Sequence, residues 1–436
     1  MTTVEGAQPA PAGSAAKALR MPITNIHDGS AYSAQLSIGS RGVVANLMLD
    51  TGSGTLAVES AAYDGTGDTA LNTTTLAQLI TYAGGGWAGP VVTTDLGFGA
   101  AGSSVVLKAA PIAIAVVQQG SLGTVNGVLG LAYAGLNSAF DFANYLAGKG
   151  APATTHPWPF GTGNWDRFST SFTKLVQAHA VPRHDVTPCL DLLQSQGGAP
   201  NKFAFHTQRS SVSLRGADPA SIASDPLNNG VFVLGGGEEQ EDLYEGEFVT
   251  AAVLHDLFYN VGLVSVRVGE LPAVAAAGLQ AQFQQTFASN AIVDSGSEWL
   301  ALADDVYQAV LSGLKQLNPA FALAVRDAQA NQSVVTDTLS LSDWPNICFT
   351  LSGVDGEGVA LTVTPQTYWQ ADFPAAGRAA FKISGPLSEA NQSNLGLPLI
   401  NNYYTIFDRS QGAQGVVRFA PIRPPAAVSL DSTSRS

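Results

Sequence analysis

Ala45-Asn46-Leu47-Met48-Leu49-Asp50-Thr51-Gly52-Ser53 is an apolar run that ends in an acid, a hydroxyl residue, a glycine and a second hydroxyl residue. The same order returns towards the other end of the chain as Ala291-Ile292-Val293-Asp294-Ser295-Gly296-Ser297. Each copy reads as a buried strand running into a tight turn with a carboxylate at its tip. One copy is weak, because Asp-Ser-Gly is common in turns. Two copies in matching settings point to a duplicated chain that brings two acids together.

A second shared feature follows each acid: Gly127-Val128-Leu129-Gly130-Leu131 after the first, Leu395-Gly396-Leu397 after the second. Apolar residues around a glycine suit a strand that another backbone crosses closely. Before the first acid, Tyr32-Ser33-Ala34-Gln35-Leu36-Ser37-Ile38 alternates apolar with small polar residues, and the turn at Ser40-Arg41-Gly42 makes a hairpin with the run into Asp50. Further strands are predicted over residues 79–82, 90–96, 105–107, 112–117 and 259–269, with closing strands at Phe407 and 416–419. Helices are expected near 169–179 and over 302–314, where Asp304 and Asp305 occupy the first turn. Residues 152–165 crowd Pro, Gly, Thr, His and Trp without periodicity and read as a surface loop or insertion. The expected organisation is a disordered arm over 1–21, an N-terminal β-lobe over 22–229, a C-terminal β-lobe over 230–423 and a polar tail over 424–436.

At 436 residues the chain can fill two sizeable cores. Hydrophobic residues reach 45% against 12% charged, with 46 glycines, which describes a folded, loop-rich chain and excludes a disordered one. The formal net charge of −14 argues against nucleic acid as a partner, since that needs a basic face. No run approaches the ~20 apolar residues of a membrane span, so no membrane partner is expected. Cys189 and Cys348 make no disulfide framework and read as unpaired, buried thiols of a reducing compartment. Residues 1–19 hold no apolar run of the secretory kind, so a cytoplasmic location is expected. His179 and His184, the nearest histidine pair, fit no zinc pattern, and no Gly-x-Ser-x-Gly elbow surrounds Ser53 or Ser297. Neither a metal nor a cofactor is expected.

Five segments in order give the chain a resemblance to the pepsin-like aspartic peptidases. They are Met48-Leu49-Asp50-Thr51-Gly52-Ser53, Thr81-Tyr82-Ala83-Gly84-Gly85-Gly86, Gly127-Val128-Leu129-Gly130-Leu131-Ala132-Tyr133, Ala291-Ile292-Val293-Asp294-Ser295-Gly296-Ser297 and Tyr403-Tyr404-Thr405-Ile406-Phe407-Asp408. The resemblance spans residues 23–422 and implies a mostly β, bilobal fold: two related lobes flanking a long cleft, with few short helices. It implies Asp50 and Asp294 as the catalytic pair on the cleft floor. Carboxyl groups about 3 Å apart cannot both ionise and so share a proton, a behaviour known for aspartic peptidases as a class. One member activates a water as general base while the other polarises the scissile carbonyl.

By the same resemblance, Gly52 and Gly296 let backbone amides approach the carboxylates, and Thr51 and Ser295 lock the two loops across the pseudo-two-fold axis. Ser53 and Ser297 hydrogen-bond the outer carboxylate oxygens. Tyr82 and Gly84 belong to a flap hairpin over the cleft, with its tip at Gly84-Gly85-Gly86. Some positions depart from the family pattern. Ala57 stands where many relatives carry a tryptophan that supports the flap tyrosine, with Trp87 nearby as a partial substitute. Glu298 places an extra acid beside the dyad, where it would alter the pH range or the binding of basic side chains. The missing disulfides and short leader resemble an intracellular, bacterial branch. The expected activity is endopeptidase cleavage between apolar residues at acidic pH, by a monomer that binds peptide substrates and pepstatin-like inhibitors. A non-catalytic relative that uses the cleft for binding is the alternative.

Overall fold

Leu36 and Ile38 point inward and Gln35 outward in the strand Ser33–Ile38, the period-two burial that its sequence predicts. It returns through Gly39-Ser40-Arg41-Gly42 and pairs antiparallel with Val43–Asp50, from Ile38 opposite Val43 to Ser33 opposite Met48. The computed structural model describes residues 18–82, 85–99, 104–119, 125–216 and 218–423. Within them the fold is mostly β with few short helices, two related lobes around a cleft.

The duplication is visible in strand pairing. Val43–Asp50 runs parallel to Gly127–Gly130, and Leu56–Glu59, just past the first acid loop, crosses back antiparallel to that same strand. In the second half, Ala291–Val293 runs parallel to Ser393–Leu395, and Leu300–Ala301 crosses back antiparallel to it. A β-carbon on Gly130 would overlap the backbone of residues 53–55, and one on Gly396 the carbonyls of Ser297 and Trp299. The recurrent apolar-glycine element therefore marks the place where the acid loop passes over the strand.

Both halves contribute strands to one sheet. The strands Leu19–Thr24, Asn229–Leu234, Lys202–His206, Tyr403–Asp408, Val416–Pro421 and Val249–Ala252 pair antiparallel in that order. Phe203, Phe205, Phe232 and Phe407 pack together on it, with Phe203 and Phe407 stacked at 5.1 Å. Each ring is buried, which contributes about 1.5–3 kcal/mol apiece relative to exposure. Leu19–Thr24 begins inside the stretch expected to be a disordered arm. Its alternation buries Leu19, Met21 and Ile23, and the whole strand pairs with Asn229–Leu234. The expected boundary at 229/230 thus runs through a shared sheet.

The hairpin Asn72–Tyr82 with Gly85–Phe98 is longer than the segments predicted for it, and the segments 105–107 and 112–115 belong to one strand, Val105–Ala115, with Val117 opening the separate strand Val117–Gln118. The helix expected near 169–179 is Trp165–Ala178, its first turn capped by the side chain of Asn164. The preceding insertion is no plain surface loop: Trp158 and Phe160 pack with Phe142, Phe168 and Phe172 into a small aromatic core. The helix expected over 302–314 is Asp304–Leu317, with Asp304 and Asp305 in its first turn and Lys315 in its last, the arrangement that complements the helix dipole. Cys189 and Cys348 are free and buried. No helix among the described residues is long and apolar enough to cross a membrane.

Candidate active site

Asp50 closes the strand Val43–Asp50 and Asp294 follows Ala291–Val293, so each carboxylate leaves a buried strand end and enters the same cleft. The two carboxyl groups lie close enough to share a hydrogen bond. Each glycine loop abuts the opposite acid. A β-carbon on Gly52 would sit 2.6 Å from Asp294 Oδ1, and one on Gly296 would overlap Asp50 Oδ1. Glycine is required at both places by space. Gly52 N–H donates to Asp50 Oδ1 at 2.7 Å and Gly296 N–H to Asp294 Oδ1 at 2.9 Å.

Thr51 and Ser295 join the loops through four buried hydrogen bonds. Thr51 Oγ1 donates to Val293 O at 3.0 Å and accepts from Ser295 N–H at 2.8 Å. Ser295 Oγ donates to Leu49 O at 2.8 Å and accepts from Thr51 N–H at 3.1 Å. This is the reciprocal lock expected from the paired motifs.

The outer oxygens are held differently in the two halves. Ser53 Oγ donates to Asp50 Oδ2 at 2.6 Å, as expected. Ser297 does not do the same for Asp294. Its hydroxyl turns to the backbone of Trp299, at 3.1 Å from the carbonyl and 3.3 Å from the N–H. Asn394 supplies the contact instead, Nδ2 donating to Asp294 Oδ2 at 2.6 Å. The sequence reading missed Asn394. A signal was present: aligning Gly130 with Gly396 puts Asn394 opposite Val128, a polar residue where the first copy has an apolar one.

Burial raises both carboxyl groups above the usual carboxylate range. For Asp50 the charge of Asp294 adds to the rise, with Ser53 and Gly52 opposing it. For Asp294 the bonds from Asn394 and Gly296 oppose it. A pair held this way keeps a proton into a pH range where isolated aspartates have lost theirs.

Tyr82 lines the cleft on the hairpin Asn72–Tyr82, and burial first, then the Asp50 charge, pushes its hydroxyl up to about 12. Trp87 shares a buried cluster with Ala57, Ala113 and Ala115, and Tyr82 packs against that cluster. Tyr82 Oη lies near Trp87 Nε1 and near the Ser53 hydroxyl, and neither Tyr82 Oη nor Trp87 Nε1 has a hydrogen-bond partner among the described residues. The expected flap tip is revised: Tyr82 pairs with Gly85 and Thr81 with Gly86, so both of these glycines are strand residues. Gly84 lies outside the described residues.

Glu298 faces the cleft, but it is not a free acid. Its Oε2 accepts from Lys382 Nζ at 2.6 Å and from the Ser211 hydroxyl. Lys382 is fully buried, with its ammonium 4.5 Å from the centre of the Trp299 ring and 4.2 Å from that of Phe373. Asp28, also in the cleft wall, is pushed up to about 6 by burial, with Ser30 opposing and the Glu298 charge adding. The cleft encloses about 680 Å³, with Met48, Val125, Val128, Trp299 and Leu387 among its apolar walls.

A sequence model of the family described as eukaryotic aspartyl protease matches residues 221–421, which include Asp294 but not Asp50. A beta-secretase of Strongylocentrotus purpuratus is 24% identical over 249 residues, 55% of this chain and 45% of that protein. The chain thus matches less than half the length of that relative. Both matches are to proteins of the pepsin-like aspartyl protease type, the relative at low identity, and neither supports the bacterial branch expected from the sequence.

Proposed function

We propose that this chain is an aspartic endopeptidase that cleaves extended peptides between apolar residues at acidic pH, without a metal or covalent intermediate. The observation that carries this reading is the contact between Asp50 and Asp294, each presented by a copy of one strand-and-turn motif and locked to the other copy. In the monoprotonated pair, the ionised carboxylate takes a proton from water as it attacks the scissile carbonyl, while the protonated partner donates to the carbonyl oxygen. The resulting diol collapses: the carboxyl that took the water's proton gives it to the amide nitrogen, the C–N bond breaks, and a diol hydroxyl passes its proton to the partner carboxylate, which restores the monoprotonated pair. The apolar walls around the dyad support side chains such as Leu and Phe on either side of the scissile bond. The buried free thiols Cys189 and Cys348 support a reducing, cytoplasmic setting, where neutral pH would restrain the enzyme by removing the shared proton. We read it as acting as a monomer.

The test is cleavage of a quenched peptide with a Leu-Phe or Phe-Phe centre from pH 3 to 6, with and without pepstatin. Asp50→Ala and Asp294→Ala should each abolish turnover and leave the protein folded. Undiminished cleavage by either variant would overturn the proposal.

A further inference from the structure

The duplication makes each half a control for the other, and the halves differ at one position beside the chemistry. Val128 and Asn394 occupy equivalent registers, Val128 opposite Met48 and Asn394 opposite Ile292, and both line the cleft. In the first half the outer oxygen of the acid is held by the hydroxyl of its own loop, Ser53. In the second, the loop hydroxyl Ser297 is engaged with Trp299, and an amide from a strand 100 residues away holds Asp294. We propose that Asn394 is a positioning residue for peptide hydrolysis: it fixes Asp294 as the ionised, water-activating member of the pair and leaves the shared proton on Asp50. This inference rests on the endopeptidase reading and deepens it.

The physical case begins with the direction of the bond. Asn394 Nδ2 faces the carboxylate, and its Oδ1 meets no donor among the described residues. The Asp294 contact is therefore what orients the amide, and an amide N–H turned towards an oxygen favours that oxygen unprotonated. A hydrogen bond to an ionised acceptor is roughly twice as strong as one between neutral groups. Asn394 thus stabilises ionised Asp294 more than a flipped amide would stabilise protonated Asp294. Ser53, by contrast, is a hydroxyl that rotates to donate to an ionised Asp50 or accept from a protonated one. The remaining titratable groups in the cleft wall do not reverse this bias. Glu298 is neutralised by Lys382, Asp28 bonds Ser30, and the Tyr82 hydroxyl lies near Ser53 on the Asp50 side.

The experiment compares the pH dependence of kcat for wild type, Asn394→Val and Asn394→Ser. Valine is the residue that the first half carries at this register, so the fold has a precedent for it, and denaturant unfolding checks each variant. If Asp294 ionises first, losing its donor raises only the first ionisation of the pair. The acid limb of Asn394→Val should then move up by about one pH unit, the alkaline limb should stay, KM should change less than twofold, and Asn394→Ser should recover part of the shift. Movement of the alkaline limb alone would place the proton on Asp294 and overturn the assignment. Superimposable profiles would reduce Asn394 to a packing residue. Carbon-13 titration of the Asp50 and Asp294 carboxyl groups in the same proteins reads both ionisations without turnover. An inactive wild type would therefore sink the endopeptidase reading while still deciding the role of Asn394.

Discussion

Thr51 and Ser295 each satisfy backbone groups of the opposite half, so replacing either hydroxyl strands a donor and an acceptor inside the molecule. Thr51→Val keeps the shape and leaves Val293 O and Ser295 N–H without their partner. A buried polar group left unpaired costs about 1–3 kcal/mol. The variant should lose stability in that range by urea unfolding and kcat by about tenfold, because small misplacement of reacting groups is costly. Thr51→Ser should keep both. An unchanged urea midpoint for Thr51→Val would show that the lock contributes nothing. The Lys382–Glu298 pair tests a different effect. Breaking a buried ion pair from one side costs about 3–5 kcal/mol, because the other charge stays buried. Lys382 is 0% exposed and Glu298 25%, so the stranded ammonium in Glu298→Gln should be worse than the stranded carboxylate in Lys382→Met. The double variant should recover at least about 1 kcal/mol over Glu298→Gln. Denaturant unfolding of the four proteins decides this, and strict additivity would count against the pair.

Trp165 opens the helix Trp165–Ala178, and its ring lies on the bare face of Gly86, so the helix braces the hairpin that carries Tyr82. A methyl group on Gly86 would overlap that ring and crowd Ile80 O. Gly86→Ala should therefore shift the hairpin and lower kcat/KM by about tenfold or more. Adding Trp165→Leu, which vacates the ring position, should restore part of the loss. A double variant no better than Gly86→Ala would disprove the brace. The sequence did not reveal this contact, because the aromatics of residues 152–165 have no period and meet their partners only after folding. Elements with a local signature were legible. The alternation of Tyr32 to Ile38 became the strand Ser33–Ile38, and the acids at 304 and 305 opened the helix Asp304–Leu317. Val105–Ala115 was read as two pieces because Ala109, at φ 50, and Pro111 interrupt its pattern, although the strand pairs continue past both. The helix Pro319–Asn331 was missed despite its Asn318 cap and first-position proline, since its apolar spacing is shallow.

Across the whole molecule, what was legible was the duplication, and with it Asp50, Asp294 and the hydroxyl and glycine neighbours that share their loops. What was not legible is whatever one half does to the other through a shared surface. Leu19–Thr24 gains its order from Asn229–Leu234, Asn394 reaches Asp294 across 100 residues, and Glu298 finds a cation only in Lys382. Arg409 shows the same coupling: it donates to Tyr259 Oη at 2.8 Å and to Leu131 O, whose own N–H bonds the carbonyl of Asp50. This coupling puts charge in the molecule's interior, and stability must therefore follow pH. Asp28, at about 6, and the two dyad carboxyls bind protons more tightly in the folded chain than in the unfolded one, where aspartate sits at 3.8. Their contribution is fully present below the unfolded value and is lost as pH rises through the folded one. Asp68 has the opposite sign. Burial works against it, but hydrogen bonds from Thr94, Tyr63 and the N–H groups of Ser40 and Ala70 hold it below the usual range, so its contribution is lost only as pH falls below the unfolded value. Stability should peak between about pH 4 and 6, and the unfolding midpoint should rise from pH 7.5 to pH 5. Asp28→Asn removes one of the responsible groups and should reduce that rise by about 1.4 kcal/mol, because pH 5 lies roughly one pH unit below its folded value at 1.36 kcal/mol per unit. Thermal and denaturant unfolding across the range measure it directly. Parallel curves for wild type and Asp28→Asn would mean that the cleft wall stays hydrated enough to leave Asp28 an ordinary aspartate.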